Sequence, residues 1–244
     1  MNLIIDIGNT FSKIFVFDKD EIVYSTQFET GSQITDYEFF LENPQLENAI
    51  ISSVSVIPDE FVLQIKKKVK KLLILSDETP LPIKNLYKTP NTLGKDRIAG
   101  IVGAYNIYPN QNVLVVDAGT AITFDIINSA GEYLGGNISP GLNMRYCALN
   151  HFTNKLPLLE KQEHFAFIGS STDQAIIAGV QNGIIFEIEA YIEKFSTDFK
   201  QLKVILTGGD TFFFAHKLKY SIFAQPFLVA IGLNRIIKNN VEKN

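Results

Sequence analysis

A chain of 244 residues is long enough for one large domain or two of ordinary size, and 46% hydrophobic with 20% charged residues is the balance of a folded globular protein. Its net charge of −4 weighs against a nucleic-acid footprint over the whole surface. A single cysteine, Cys147, excludes an intramolecular disulfide and a thiolate metal cluster.

The N-terminus enters a strand at once. Leu3-Ile4-Ile5 runs into Asp6, a turn follows at Gly8-Asn9, and Ile14 to Phe17 reads as the return strand of a hairpin. Ile22 to Phe28 is a third strand and Ala49 to Val54 a fourth. Pro58-Asp59-Glu60 opens a helix whose apolar positions Phe61, Val62, Ile65, Val69 and Leu72 keep helical spacing. On it, Lys66-Lys67-Lys68 and Lys70-Lys71 read as a solvated face. Leu72 to Leu75 is a strand, and residues 76 to 95, with Pro80, Pro82, Pro90 and Gly94, form a loop. A helix begins near Asp96 and runs to about Pro109, with the domain boundary just after it, dividing the chain into 1–110 and 111–244.

The second half repeats the opening. Val113 to Val116 meets Asp117-Ala118-Gly119-Thr120, Ile122 to Ile127 returns, and Tyr133 to Ile138 follows the turn at Ala130-Gly131. Pro140-Gly141 starts a helix in which Leu142, Tyr146 and Leu149 set the core side, with Cys147 expected among them as a small core residue. Ser171-Thr172-Asp173-Gln174 has capping-box spacing before the apolar stretch Ala175 to Phe195. That helix is apolar on more than one face, which suits deep packing or a subunit interface. Val204-Ile205-Leu206 then meets a third glycine turn, Thr207-Gly208-Gly209-Asp210, before a final helical region. No apolar stretch reads as long enough to cross a bilayer and no export leader is evident, so a cytoplasmic location is expected.

A carboxylate closing an apolar strand is costly unless a cation, a hydrogen-bond network or water meets it, and here the arrangement occurs twice, at Asp6 and Asp117. A nucleotide with its metal ions would supply the partners. The glycines let backbone approach a phosphate, and Thr10, Ser12, Lys13 and Thr120 offer hydroxyl and ammonium donors. Two such turns imply two related half-domains facing a central cleft. No Walker-type loop is present, His151, His164 and His216 lack ligand spacing, and no Gly-x-Ser-x-Gly elbow occurs; zinc chemistry and serine hydrolysis drop out.

Further motifs narrow the class. They are Asp6-Ile-Gly-Asn-Thr-Phe-Ser-Lys13, Tyr87-x2-Pro90-x3-Gly94-Lys95-Asp96-Arg97, Asp117-Ala-Gly-Thr-Ala-Ile-Thr-Phe-Asp125, Gly135-Gly136-x3-Pro140-Gly141, Lys155-Leu-Pro157 and Thr207-Gly208-Gly209. In this order and spacing, over nearly the full length, the chain resembles the type III pantothenate kinases. That family belongs to the acetate kinase, sugar kinase, Hsp70 and actin superfamily, with its duplicated ribonuclease-H-like α/β fold. The resemblance implies ATP-dependent phosphorylation of pantothenate, the first step toward coenzyme A. It assigns Asp96 as general base and Tyr87, Gly94, Lys95, Asp96, Arg97 and Thr172 as pantothenate contacts. Asp6, Ile7, Gly8, Asn9, Thr10, Phe11, Ser12 and Lys13 form the first phosphate segment, with Thr120 from the second. Asp117 matches the position for a monovalent cation, potassium or ammonium, while magnesium accompanies ATP.

The same resemblance implies a homodimer, while the net charge and the lack of a bilayer-length apolar stretch argue for neither nucleic acid nor membrane as partner. Two departures stand out: Ile-Ala-Gly-Ile-Val-Gly-Ala after Asp96-Arg97, and Phe11 where a small or polar residue is common. Neither removes an acid, base or donor. The competing functions are a superfamily kinase or phosphohydrolase acting on a sugar or carboxylate, and a nucleotide-gated regulatory protein without chemistry. Asp96 argues against the second.

Overall fold

In the computed structural model, which describes residues 1–30 and 46–242, the chain divides into two units: Met1–Ile107 with Leu228–Asn244, and Tyr108–Phe227. The first holds strands β1 (Asn2–Ile7), β2 (Phe11–Asp18), β3 (Glu21–Glu29), β4 (Asn48–Ser53), β5 (Lys71–Ile74) and the two-residue β6 (Lys84–Asn85), with helices α1 (Asp59–Lys66) and α2 (Lys95–Ile107). The second holds β7 (Val113–Ala118), β8 (Ala121–Ile127), β9 (Glu132–Pro140), α3 (Leu142–His151), α4 (Thr172–Asp198), β10 (Lys203–Thr207), α5 (Thr211–Ala215) and β11 (Phe223–Ala224). The last helix, α6 (Leu228–Val241), returns to the first unit.

The strand orders show the duplication. One sheet runs β3-β2-β1-β4-β5 and the other carries β9-β8-β7-β10-β11 in the same sense. In each, the first two pairings are antiparallel and the last two parallel. The carboxylate-bearing strand is therefore central in both sheets. A central strand covered on both faces must be apolar throughout, and Leu3, Ile4, Ile5 and Val113 to Val116 are all buried.

In the first unit Phe61 and Ile65 of α1 pack on Leu3, Ile5, Ile14 and Ile51. The helix stops at Lys66, short of the spacing that reaches Leu72, because the Lys70 and Lys71 amides donate instead to Glu47 O at 2.7 and 3.3 Å and lead into β5. Lys66, Lys67, Lys68 and Lys70 face solvent, whereas Lys71 reaches the Asn240 carbonyl on α6. The sequence-based division at residue 110 groups α6 with the second half; its contacts lie with the first. Two glycines make this possible. A Cβ on Gly232 would sit 1.7 Å from Ala99 O, and one on Gly103 would sit 2.4 Å from Leu228 O, so α2 and α6 meet backbone to backbone. A run of amides fixes the docking: Asn48 Nδ2 donates to Asn2 Oδ1, Asn2 Nδ2 to Asn234 Oδ1 at 2.8 Å, and Asn234 Nδ2 to Lys19 O.

In the second unit Ile176, Val180, Ile184, Ile188 and Ile192 form one stripe of α4 against Leu114 and Val116, Ile122 and Phe124, and Leu206. This 27-residue helix is long and apolar enough, by length and composition, to cross a membrane, which corrects the sequence reading that no stretch is. Its buried stripe is that of a core helix. Ser171 is the N-cap, accepting from Gln174 N at 3.3 Å, so Thr172 is the first helical residue. The reciprocal limb of the capping box is displaced by one residue, Gln174 Oε1 accepting from Ser170 N and Oγ. Cys147 is exposed, not in the core: Leu142 and Tyr146 point inward, and Cys147, one residue on, is turned away from that side.

Candidate functional site

The first unit builds its site from the end of β1. Asp6 is paired across the sheet with Lys13 of β2 on one side and with Ser52 of β4 on the other. Beyond it the chain turns tightly, Gly8 N donating to Phe11 O at 3.1 Å, so residues 8–11 project as a loop with Asn9, Thr10 and Phe11 exposed. Ile7 and Ser12 are buried at its base. Ile7 therefore offers a ligand its backbone only.

Asp96 comes to the same place from the first turn of α2. Its charge is the second cause, after burial, that pushes the Asp6 carboxyl up to about 6; Lys13 and a hydrogen bond from Ser52 oppose it. Asp6 and Lys13 of the opening hairpin and Asp96, some ninety residues on, are brought together. Asp96 Oδ1 accepts from the Arg97 amide at 2.8 Å, and a Cβ on Gly94 would lie 2.5 Å from that same oxygen. Gly94 thus keeps open the space into which the Asp96 carboxylate folds. Arg97 is buried with its guanidinium carbon 5.6 Å from the Tyr87 ring centroid, a cation–π contact that joins two more of the expected residues. Lys95 opens α2 and is half-buried.

The raised Asp6 value makes a prediction about stability. A carboxyl whose pKa is higher folded than unfolded binds more protons in the native state between about 4 and 6, so its contribution to stability falls as pH rises through that window and stays low above it. The Asp6→Asn protein carries no such charge. Its thermal midpoint relative to the unsubstituted protein should therefore rise between pH 4 and 6 and then level off, as scanning calorimetry without nucleotide will measure.

The second unit carries the second turn. Here Gly119 N donates to Ala121 O at 3.1 Å, one residue tighter than the first turn, and the Asp117 carboxylate closes β7. The Thr207-to-Asp210 turn packs directly on it: Asp210 N donates to Ala118 O at 2.9 Å, and an ideal Cβ on Gly208 would fall 2.4 Å from Asp117 Oδ1. An ideal Cβ on Gly119 would lie 3.3 Å from the same oxygen. A carboxylate oxygen in a cradle that two missing side chains would fill, among backbone carbonyls, is an oxygen donor set suited to a hard cation. Among the described residues no cluster of three or more His, Cys, Asp or Glu could hold a metal ion, so other oxygens would have to complete the coordination. Thr120 is exposed on the turn, and its carbonyl accepts from Gly141 N at 3.1 Å. Thr172 is exposed at the start of α4.

Two residues outside the motifs, Ser52 and Thr30, join the first of these sites. Ser52 contacts Asp6, and Thr30 and Ser12 meet beneath the first turn, their Oγ1 and Oγ atoms 3.0 Å apart. The legible signal for Ser52 is two serines ending an apolar strand; for Thr30 there is none.

Comparison with known proteins gives a consistent result. Residues 2–194 match the family model described as type III pantothenate kinase. A type III pantothenate kinase of Bacteroides fragilis is 44% identical over 240 residues, covering 98% of each chain. Among solved structures, a conserved Campylobacter jejuni protein provisionally grouped with Baf family transcriptional activators aligns with a TM-score of 0.65 and 26% identity, over 98% of this chain and 99% of that one. Lmo2764 of Listeria monocytogenes, provisionally an N-acetylmannosamine kinase, shares the fold alone, with a TM-score of 0.56 and 14% identity over 100% and 99% of the two chains.

Proposed function

The chain belongs to the type III pantothenate kinases and phosphorylates pantothenate in coenzyme A biosynthesis, and from that premise we propose how its residues divide the work. ATP is the phosphoryl donor. Residues Asp6 to Lys13 and Thr120 hold its phosphates through main-chain amides, hydroxyls and the Lys13 ammonium. Tyr87, Gly94 to Arg97 and Thr172 bind pantothenate, with Arg97 available to pair with its carboxylate through a planar fork of donors. Asp96 takes the proton of the primary hydroxyl as that oxygen forms its bond to the γ-phosphorus; the bond to the β–γ bridging oxygen breaks and ADP leaves.

Asp117 would hold potassium or ammonium beside Gly208 and Gly119, and the ion would supply positive charge there. Magnesium, bound mainly through ATP oxygens and water, would neutralise charge on the transferring group. The active enzyme is a cytoplasmic homodimer acting on neither nucleic acid nor membrane. The observation that carries this assignment is the meeting of Asp6, Lys13 and Asp96 in one unit, a phosphate turn beside a base.

Mass spectrometry of pantothenate after incubation with ATP and magnesium tests it. A phosphate gain that is larger in potassium than in sodium buffer is the expected result. ATP turnover with a sugar or carboxylate, and none with pantothenate, would overturn it.

A further inference from the structure

Beneath the first turn lies a hydrogen-bond clasp centred on Thr30, the residue just past β3. Its hydroxyl donates to Gly8 O at 2.9 Å, its Oγ1 lies 3.0 Å from Ser12 Oγ, and its amide donates to Thr10 O at 3.0 Å. A threonine hydroxyl has one proton. Because Gly8 O takes it, Ser12 must be the donor to Thr30, and the single Ser12 hydroxyl proton is spent under the turn. Ser12, 2% exposed, is thereby withdrawn from donating to a phosphate. Three alternate residues of the turn, 8, 10 and 12, are tied to one side chain and its amide.

We propose that Thr30 is a positioning residue for nucleotide binding: it holds residues 8–12 in the one conformation that presents the turn and Lys13 to the phosphates. The proposal rests on the reading of Asp6 to Lys13 as a phosphate segment. Its physical basis is preorganisation, since a loop already ordered loses less entropy when its ligand arrives. Ser12 acts through the same clasp.

The test is steady-state kinetics of the full-length enzyme carrying Thr30→Val, Thr30→Ser or Lys13→Ala, with each substrate varied in turn. Thr30→Val should raise KM for ATP by about three- to tenfold, the range that a hydrogen bond of ordinary net worth allows. KM for pantothenate should stay within about twofold, and Thr30→Ser, which keeps the hydroxyl, should restore the ATP value. If Lys13→Ala raises KM for ATP and Thr30→Val does not, Thr30 has no positioning role. If Lys13→Ala leaves it unchanged, the phosphate-segment reading itself fails and takes the proposal with it. Equal rises in both KM values that Thr30→Ser does not restore would mark a merely structural residue. Should Thr30→Val not fold, Ser12→Ala carries the test at one bond, with a smaller rise in KM for ATP expected and an unchanged value overturning the clasp.

Discussion

Replacing Asp96 by Asn should lower kcat by about 10²- to 10⁴-fold, the usual span for removing a positioned general base, with little change in either KM. Asparagine keeps the shape and one oxygen, so the acceptor for the Arg97 amide, 2.8 Å away in the native protein, survives, and α2 should start as before. What disappears is the ability to take a proton. A second consequence separates chemistry from folding. The Asp96 charge helps to raise Asp6, so removing it should let Asp6 ionise at lower pH. The residual activity of the variant should keep its nucleotide affinity further into acid than the unsubstituted enzyme does. In the unsubstituted enzyme the Asp6 carboxyl, held up by burial and by the Asp96 charge, contributes to the acid limb of kcat/KM. Equal rates in the two proteins would remove Asp96 from the mechanism. A fall in rate with no movement of the acid limb would mean that Asp6 and Asp96 do not sense one another in solution.

How far the residues announce all this depends on the range of the interaction concerned. The acid-glycine turns were legible because their chemistry is local: an apolar strand ending in a carboxylate is written in six consecutive letters. Duplication was legible because the letters recur, and the matching strand orders of the two sheets express it. The end of α1 was not legible. Apolar spacing continues to Leu72, but the competing partner for Lys70 and Lys71 is the carbonyl of Glu47, distant in sequence. Cys147 shows a related weakness: one helical step separates it from Tyr146, and composition cannot say which side of that step faces the core. Where α6 packs was hidden for a different reason. A glycine in a helix reads as a weakness, and only the partner backbone at Ala99 O shows that Gly232 is a contact surface. Thr30 follows the same pattern, ordinary as a letter and specific only once Gly8, Thr10 and Ser12 surround it.

Replacing Gly208 by Ala should abolish most of the potassium-stimulated rate, and Asp117→Asn should do the same by another route. Gly208 has φ of +96°, a conformation that costs a residue with a side chain about 1–3 kcal/mol, and the new methyl would also collide. Its position is 2.4 Å from Asp117 Oδ1 and 2.5 Å from the backbone of Ala118, so either the carboxylate or the end of β7 must move. Asp117→Asn leaves the backbone alone and removes the charge. If Asp117 holds a monovalent cation, both variants should give nearly equal rates in potassium and sodium buffers, and their shared floor should match the unsubstituted enzyme in sodium. Gly119→Ala supplies the graded case, because its Cβ would approach the same oxygen only to 3.3 Å, a distance that a small shift relieves. It should raise the potassium concentration for half-maximal rate without abolishing the response. The ordering Gly208→Ala worse than Gly119→Ala follows from the two distances alone. Potassium activation that survives in both Gly208→Ala and Asp117→Asn would place the cation elsewhere and leave the glycine cradle a purely structural contact between β7 and the turn after β10.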